Sequence, residues 1–500
     1  MNHREGAPGP DGPGVAASWR VGLQLPGWSA LWGVVVVCVV GLLASRLVGP
    51  SDLYDQHQPR TIAYTADMLL HGRWVLPRDD EGIPATKPPL YNWLSAPLVW
   101  MFGYREWMLK APSVLAGVAG IGVVGGFGWM LVRPRRSGLT ERCVDRRVAF
   151  AWVAALVFWV NPAIFKLMYL ARPDMVLVAC LTGAWVCGTL VLSERSSRPI
   201  GWQVGFWLCT AASALTKGPI ALLPLGYVVL AARLVHGRWS RVHRTGWVWG
   251  LPLMLVLVAA WAVPAWRADP EYFRQKLMGG EVSNHVVYHD PVQFLKKFWK
   301  AGFYFFTRFL PWSVFVPAAL IWIGPRRWLR HRCAPAILWF LLTLVVFSCM
   351  PMRSDRVAPM YPAAAVLAAY WLVWRGHRVG LTVGRIAALA LALALVMAGY
   401  QWTGSPAART GYGDHVAAFA QTVRPIIGDE PVVLIGVGKT PLATLLGRHQ
   451  PGEPTGAEIE AASWIIRPYV AEDSPAAVSQ PIAEVQGHKF GRVALYDRRR

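Results

Sequence analysis

Charged residues are scarce in this chain of 500 residues, since Asp, Glu, Lys and Arg together make up only 16% of it. Hydrophobic residues make up 54%, and 27 of them are Trp. Such a composition is atypical of soluble domains and favours a protein embedded in a bilayer. Acidic residues are the scarcer charged class, 28 against 50 Lys and Arg. The basic residues fall in short clusters between apolar runs, so the net charge of +22 indicates positive-inside bias rather than nucleic-acid binding.

Sequence signatures of disulfide frameworks and zinc sites are absent. The cysteines stand without CxxC or other ligand spacing, at Cys38, Cys143, Cys180, Cys187, Cys209, Cys333 and Cys349. The segment HVVYH has Val where the zinc-protease pattern HExxH needs a Glu. No internal repeat is visible, and no small-residue cleavage site follows the Gly- and Pro-rich residues 1–28. We expect a disordered cytoplasmic tail over residues 1–28 and then a retained first span.

Long apolar runs predict about eleven transmembrane helices, because a helix needs about 20 apolar residues to cross a bilayer. The runs lie near residues 29–49, 108–132, 148–165, 175–193, 201–216, 219–235, 246–266, 301–324, 335–350, 360–375 and 383–402. Five arginine clusters lie between them, around residues 133–147, 195–198, 233–244, 326–332 and 375–385. Placing all five in the cytoplasm requires a cytoplasmic N-terminus, an odd number of spans and a periplasmic C-terminus.

The predicted fold is an all-α polytopic membrane bundle over residues 29–402, with a small C-terminal α/β periplasmic domain over residues 403–500. Residues 50–107 form the first outer loop of this bundle, and their aromatic segment PLYNWLSAPLVWMFG predicts an interfacial helix. In the C-terminal domain we expect helices over 414–423 and from 441, and strands over 431–436, 463–466 and 493–496.

Polar residues of the predicted outer face are the candidates for chemistry, because ionisable side chains at membrane depth are costly and usually functional. In the first loop they are Asp52, Asp55, His57, Arg60, Asp67, Arg73, Asp79, Asp80 and Lys87, and further along the chain Arg172, Asp174, Lys217, Arg353 and Arg356. A carboxylate there can act as general base on an acceptor hydroxyl or amine, while Arg and Lys neutralise a phosphate leaving group. Simpler interpretations stay open, namely solvated loop charges, Asp174 as a helix-capping acid, and basic side chains that snorkel to the interface.

The outer segment 267–300 offers a second kind of site. Glu281 and His285 are spaced i, i+4, so they can share one helix face and bind a metal or relay a proton. This spacing is common by chance. We therefore predict no certain cofactor and keep a divalent metal as the alternative.

The order of the motifs along the chain resembles a known family. KPPLYNWL ends the first loop and is followed by RPD, TKGP, PWSVFVP and an arginine-containing segment that ends in YP. This set is similar to that of the GT-C superfamily, specifically to bacterial relatives of the lipid A aminoarabinose transferase and of the dolichyl-phosphate-mannose protein mannosyltransferases. The resemblance covers about residues 29–400. It implies a helical membrane bundle with two interfacial helices in the first outer loop and a polyprenyl-phosphate-sugar donor.

The resemblance also implies roles for individual residues. Family members carry a catalytic Asp a few residues before an Arg in the first outer loop, and Arg60 matches that Arg. A gapless match puts His57 at the Asp position, whereas Asp55 lies two residues earlier; we favour Asp55 as the base and keep His57 as the alternative. Asp174 matches a second outer carboxylate. The cations expected around the lipid phosphate are Arg60, Lys87, Lys217, Arg353 and Arg356, and the expected substrate contacts are Tyr91, Glu281, His285 and Tyr361.

These features predict an inverting glycosyltransferase of the bacterial inner membrane. It would move a sugar from an undecaprenyl-phosphate-linked donor to a lipid, glycan or protein acceptor on the periplasmic face. One rival is a flippase or transporter of lipid-linked sugars, although transporters more often show repeats and charges near the bilayer midplane. A second rival is a non-catalytic scaffold whose C-terminal domain binds envelope partners.

Overall fold

The computed structural model of the chain describes residues 28–54, 57–132, 141–193, 199–274, 297–351, 353–437, 441–450, 452–469, 482–486 and 492–498. Helices dominate these residues, and a small sheet follows them near the C-terminus. Three of the predicted site residues, Asp55, Glu281 and His285, lie outside the described residues, as does the N-terminal tail that we expected to be disordered.

The following helices lie within the described residues. They are α1 (Trp28–Leu47), α2 (Gln58–His71), α3 (Leu90–Phe102), α4 (Glu106–Leu131), α5 (Glu141–Trp159), α6 (Pro162–Leu167), α7 (Asp174–Leu192), α8 (Pro199–Lys217), α9 (Leu222–Leu234), α10 (Trp247–Ala268), α11 (Pro270–Tyr272), α12 (Lys300–Arg308), α13 (Phe315–Ile323), α14 (Ala334–Ser348), α15 (Tyr361–Arg375), α16 (Val383–Thr403), α17 (Pro406–Thr410), α18 (Tyr412–Ile427), α19 (Leu442–Leu445) and α20 (Gly456–Ala461). Short 3-10 segments occur at Gly218–Ala221, Trp239–Thr245, Trp312–Val314, Pro325–Arg327, Ser354–Met360 and Gly376–Val379.

The centre of the bundle is formed by α5, α7 and α15. Trp152, Trp159 and Trp185 are fully buried there, and large aromatic side chains of this kind contribute much of the apolar area that packing removes from the surroundings. Outer helices show the opposite pattern. Ile321 on α13 is 78% exposed and Val256 on α10 is 65% exposed. Apolar side chains facing outward at this density suit a lipid environment rather than water.

Each of the eleven predicted spans coincides with helix. Among the described residues, six helical stretches are long and apolar enough to cross a membrane by length and composition: Glu106–Leu131, Asp174–Leu192, Pro199–Leu234, Trp247–Ala268, Ser354–Val379 and Val383–Thr410. Shorter apolar helices cover Trp32–Leu47, Trp312–Ile323 and Ala334–Ser348. The protein is therefore a polytopic helical membrane protein.

The segment predicted as one span over 301–324 is interrupted. Helix α12 ends at Arg308, and α13 begins at Phe315 after a 3-10 turn. Pro311 lies in the interruption, where its ring and missing N–H are incompatible with a continuous helix interior.

The C-terminal residues fold into an α/β unit around a four-stranded sheet of order β1-β2-β4-β3. Its strands are β1 (Val432–Leu434), β2 (Trp464–Tyr469), β3 (Ala483–Gln486) and β4 (Arg492–Asp497). β1 runs parallel to β2, while β4 is antiparallel to both β2 and β3. Phe419 and Val423 of α18 pack on this sheet with Ile466 and Leu495. Three strands and the helix α18 were predicted from the sequence, and β3 was not.

The α/β unit is attached to the first outer loop at two places. The Ser51 N–H donates to the Asp414 carboxylate at 2.9 Å, and the rings of Tyr54 and Tyr412 meet edge to face. Further along, the Gly452 N–H donates to the Asp80 carbonyl at 2.9 Å. The C-terminal unit therefore lies at the same end of the bundle as the first loop.

Candidate active site

Asp174 stands at the start of α7 between two cations. The Lys217 ammonium, at the end of α8, donates to one carboxylate oxygen, and the Arg172 guanidinium pairs with the other at 3.0 Å. Pro173 precedes the helix, and Asp174 occupies its first turn, where a negative charge is favoured by the helix dipole. The side chain of Asp174 is only 5% exposed. Its carboxylate is thus engaged by cations from two separate elements.

A second carboxylate extends this cluster. Arg172 also donates to Asp355 at 3.1 Å, and the Lys166 ammonium donates to Asp355 at 3.0 Å. Lys166 is positioned by the short helix α6, whose first turn is capped because the Asn161 side chain accepts from the Ile164 N–H at 3.0 Å. The guanidinium of Arg172 therefore bridges Asp174 and Asp355. We call these five side chains, Lys166, Arg172, Asp174, Lys217 and Asp355, the Asp174 cluster.

His57 lies close to the Asp174 cluster. It is exposed and adopts the left-handed conformation, with φ 63°, immediately before α2. Partial burial and the nearby cations Arg172, Lys87, Arg60 and Arg353 lower the pKa of its imidazole. The imidazole is therefore neutral near pH 7 and has a lone pair available to accept a proton. A non-glycine residue with positive φ is uncommon and often marks a functional position.

Gln58 ties this region to a second group of charges. Its side-chain carbonyl accepts from the Ala171 N–H at 2.8 Å, and its side-chain amide donates to the Asp52 carbonyl at 2.7 Å. The Asp52 carboxylate pairs with Arg46 at 2.8 Å and with Lys110 at 2.5 Å. We call Arg46, Asp52, Glu106 and Lys110 the Asp52 cluster, because Glu106 also accepts from Lys110.

The other predicted cations have partners or neighbours in the same region of the chain or near His57. Arg60 pairs with Asp79 at 2.6 Å, and its guanidinium lies 3.7 Å from Glu81. Lys87 and Arg353 are exposed, and both are near enough to act electrostatically on His57. Arg356 donates to the Pro351 carbonyl at 2.5 Å.

Two predicted substrate contacts are buried in the protein. The Tyr91 hydroxyl donates to the Leu109 carbonyl at 2.9 Å, and the residue is 2% exposed. Tyr361 is 1% exposed and stacks on Phe309 with ring centroids 5.2 Å apart. Because both side chains are buried against protein atoms, we leave both out of the proposed site.

Sequence reasoning assigned no role to Lys166, Asp355 or Lys110, and it named Asp52 only as one of the polar candidates of the first loop. Lys110 and Lys166 stand just inside or beside predicted spans, and a charge at such a place is a signal that could have identified them. Their partners are distant in sequence: Asp355 is 189 residues from Lys166, and Asp52 is 58 residues from Lys110. Only the fold pairs them.

The chemistry of this region is that of an anion site. Around His57 and the Asp174 cluster, cationic side chains outnumber carboxylates among the described residues: Lys87, Arg60, Lys166, Arg172, Lys217 and Arg353 against Asp79, Glu81, Asp174 and Asp355. An excess of partly desolvated cations suits a phosphate and opposes a divalent cation at the same place. A neutral imidazole beside bound phosphate can take a proton from an incoming nucleophile.

Curated proteins similar to this chain share one description. The chain is 23% identical over 325 residues to the undecaprenyl phosphate-alpha-4-amino-4-deoxy-L-arabinose arabinosyl transferase of Shewanella sediminis, a match that covers 64% of this chain and 55% of that protein. The second such transferase of Proteus mirabilis is 21% identical over 322 residues, with the same two shares. The chain thus spans about half the length of the curated relatives it matches. No family model matches the sequence.

Solved structures extend the likeness to nearly the whole chain. ArnT from Cupriavidus metallidurans bound to undecaprenyl phosphate superposes with a TM-score of 0.71 and 16% identity, covering 95% of this chain and 98% of that one. The Archaeoglobus fulgidus oligosaccharyltransferase superposes with a TM-score of 0.51 and 11% identity, covering 87% and 69%. Both have the GT-C fold, so the resemblance predicted from the motifs is confirmed.

Proposed function

We propose that this protein is an inverting glycosyltransferase that takes a sugar from an undecaprenyl-phosphate-linked donor. The observation that carries the proposal is the cation-rich Asp174 cluster beside His57, in a fold shared with a structure described as bound to undecaprenyl phosphate. The curated relatives, whose names specify an aminoarabinose donor on this lipid, support an amino sugar as the first donor to test.

The donor phosphate would bind between Arg172, Lys217 and the exposed cations Lys87 and Arg353. Asp174 and Asp355 then act as positioning residues, since each carboxylate holds Arg172 and one lysine in place. A guanidinium held in this way keeps its planar donor geometry and loses little entropy when phosphate binds.

In the transfer step, the acceptor hydroxyl or amine forms a bond to the anomeric carbon of the sugar. The bond from that carbon to the phosphate oxygen breaks, and undecaprenyl phosphate leaves with the electron pair. The acceptor proton goes to a base in the first outer loop, for which His57 and Asp55 are the two candidates. The cations stabilise the negative charge that develops on the phosphate.

The proposed topology has eleven spans, a cytoplasmic N-terminus and a periplasmic C-terminal unit. Hydrogen bonds of the third basic cluster, residues 233–244, support it. Arg241 donates to the Leu192 carbonyl at 2.9 Å, which places this cluster at the C-terminal end of α7. Gln203, near the start of α8, donates to the Arg244 carbonyl at 2.6 Å. Lys217, at the other end of α8, pairs with Asp174. The stretch Pro199–Leu234 would therefore form two antiparallel spans. The chain reverses its direction between them at Gly218, whose φ is +62°.

The fourth and fifth basic clusters, residues 326–332 and 375–385, also lie near each other. The Arg332 guanidinium lies 5.7 Å from the Trp374 ring centroid, and that of Arg375 lies 4.7 Å from the Trp322 centroid. Such cation-aromatic contacts are attractive, and they support a common location for the two clusters at one end of the bundle. The Asp174 cluster would then face the periplasm, with lipid A, another glycan or a protein as acceptor.

The decisive experiment is transfer of radiolabelled aminoarabinose from undecaprenyl phosphate to envelope lipids by purified protein in detergent. We expect label in the lipid fraction with wild type and with Arg409→Gln, an exposed control, and its loss with Lys217→Met. Labelled donor that stays chemically intact but crosses the bilayer of proteoliposomes would establish the transporter instead. A chain truncated after residue 405 that still transfers label would exclude the scaffold.

A further inference from the structure

His71, Asp67 and His449 meet where the first outer loop contacts the C-terminal unit. The His71 Nδ1 lies 3.0 Å from the Asp67 Oδ1, and the His449 Nδ1 lies 3.5 Å from the same oxygen. One ligand atom from each residue falls within 4.8 Å of the other two. Zinc ligands about 2.0 Å from the metal stand about 3.3 Å apart in a tetrahedral site, so this spacing fits a bound ion.

The imidazole of His449 has one ring nitrogen without a partner. Its side chain is 0% exposed, and its Nε2 lies 3.0 Å from the Arg78 carbonyl, to which it donates. In the neutral ring the Nδ1 therefore carries a lone pair, and this atom has no hydrogen-bond partner among the described residues. This lone pair lies 3.5 Å from a carboxylate oxygen, an arrangement that is repulsive unless a proton or a metal cation lies between the two atoms. Histidines that ligate metals usually donate their other N–H to a carbonyl in this way.

The charges around the cluster are also suitable. Asp67 is fully buried, and its Oδ2 accepts from the Arg78 N–H at 2.7 Å, which leaves Oδ1 for the imidazoles. Arg73 donates to that Oδ1 at 3.1 Å, and a carboxylate oxygen has a second lone pair for a metal. The Asp80 Oδ1 lies 3.6 Å from the His449 Nε2.

We propose that Asp67, His71 and His449 form a divalent transition-metal site of the zinc class that fastens the C-terminal unit to the first outer loop. Two imidazoles and one carboxylate are the ligand set that zinc takes with a fourth position open to water. His71 is 35% exposed on its side chain, so water can reach that position. Because Asp67 and His71 belong to α2, which begins next to His57, the metal would fix the far end of the helix that positions the candidate base. The metal site does not depend on the proposed transfer reaction.

The test uses full-length protein carrying a tag without histidine, stripped with EDTA and then dialysed against ZnCl2. We expect about one tightly bound zinc ion per chain by mass spectrometry of the metal, and a rise in Tm on zinc addition that EDTA reverses. His449→Gln and His71→Gln should each weaken zinc binding by at least about tenfold and remove the Tm response. His415→Gln, at an exposed histidine of the same unit, should bind zinc like wild type.

His71→Gln keeps the test decisive if His449→Gln does not fold, because His71 stands partly exposed at the end of its helix. Wild type that retains no zinc after dialysis would overturn the proposal. Equal zinc binding by wild type and His71→Gln would overturn it as well, since the ion would then lie elsewhere. Cobalt in place of zinc should give the visible absorption of a tetrahedral site in wild type and lose it in His71→Gln.

Discussion

Two clusters of charged side chains lie at the same end of the bundle and use the same residue types in different ways. The Asp52 cluster is closed: the Lys110 side chain is 0% exposed and that of Arg46 is 6% exposed. Its two cations are matched by Asp52 and Glu106. The Asp174 cluster is more open, with Lys217 at 22% and Lys166 at 32%, and further cations surround it.

The difference separates a structural ion network from a binding site. In the closed cluster every charged side chain is paired with one of opposite charge. Binding an added anion there would therefore cost desolvation energy without a compensating attraction. In the open cluster the carboxylates hold cations in place without neutralising all of them, and water can be displaced by phosphate. Five predictions test this comparison, in order of decreasing effect.

Replacing His57, one of the two candidate bases, should give the largest loss of transfer activity. We expect His57→Ala to lower kcat for sugar transfer by about 10²–10⁴-fold, the usual range for a general base, with little change in Tm because the side chain is exposed. Asp55→Asn serves as the paired variant in the same assay. Full activity of His57→Ala together with loss in Asp55→Asn would transfer the role to Asp55.

Removing the Arg172 guanidinium, which bridges Asp174 and Asp355, should weaken sugar transfer. Arg172→Gln is expected to lower kcat/KM about 10²–10³-fold, because it removes a donor to the developing phosphate charge and releases Asp174 and Asp355. Arg274→Gln, at an exposed arginine that pairs with Glu271 at 3.2 Å, is the matched control. Equal activity of the two variants would contradict an anion site at the Asp174 cluster.

Removing the buried ammonium should act on stability alone. Lys110→Met removes a fully buried charge and leaves the partly buried Asp52 and Glu106 beside a single cation, so we expect a loss of about 3 kcal/mol in the free energy of unfolding. The transfer rate per folded molecule should stay unchanged. Chemical denaturation in detergent and the radiolabel assay measure the two quantities. A stable Lys110→Met protein that has lost transfer would place the Asp52 cluster in the active site and remove the contrast.

The stability of the fold should depend on pH through Asp52. Burial raises the pKa of Asp52, but Lys110 and Arg46 outweigh it and hold that pKa below its usual range. A depressed carboxyl pKa stabilises the fold above the unfolded value of about 3.9, and this stability is lost as pH falls below it. We expect the Tm of wild type to fall more steeply on acidification than that of Asp52→Asn.

The activity profile reports on His57 instead. Burial and the cations Arg172, Lys87, Arg60 and Arg353 lower its pKa below about 6.5, so kcat/KM should stay flat near neutral pH and decline at acid pH. Bound donor phosphate offsets part of this positive charge. The kcat profile should therefore decline at a higher pH than the kcat/KM profile, and equal midpoints would argue against phosphate beside His57.

Much of the architecture was predictable because apolar runs and basic clusters are local properties of the chain. All eleven runs coincide with helix, and Pro311 explains why the run over 301–324 is broken. Strand β3 was missed because AEVQ is short and half polar and gains its partner only across the sheet at β4. In the candidate site, Asp174 and Lys217 were named separately from their positions at span ends.

The sequence by itself determined that this is a helical membrane protein, and its motif order predicted the GT-C fold that the solved structures share, since hydropathy and motif order do not depend on long-range contacts. It also determined which residue types would gather at one face. The tertiary structure alone decided which charges neutralise one another, because Arg172 reaches Asp355 and His449 reaches Asp67 across more than a hundred residues of chain. Coulombic pairing falls with distance and rises with burial, so only folding distinguishes the closed network around Asp52 from the open one around Asp174.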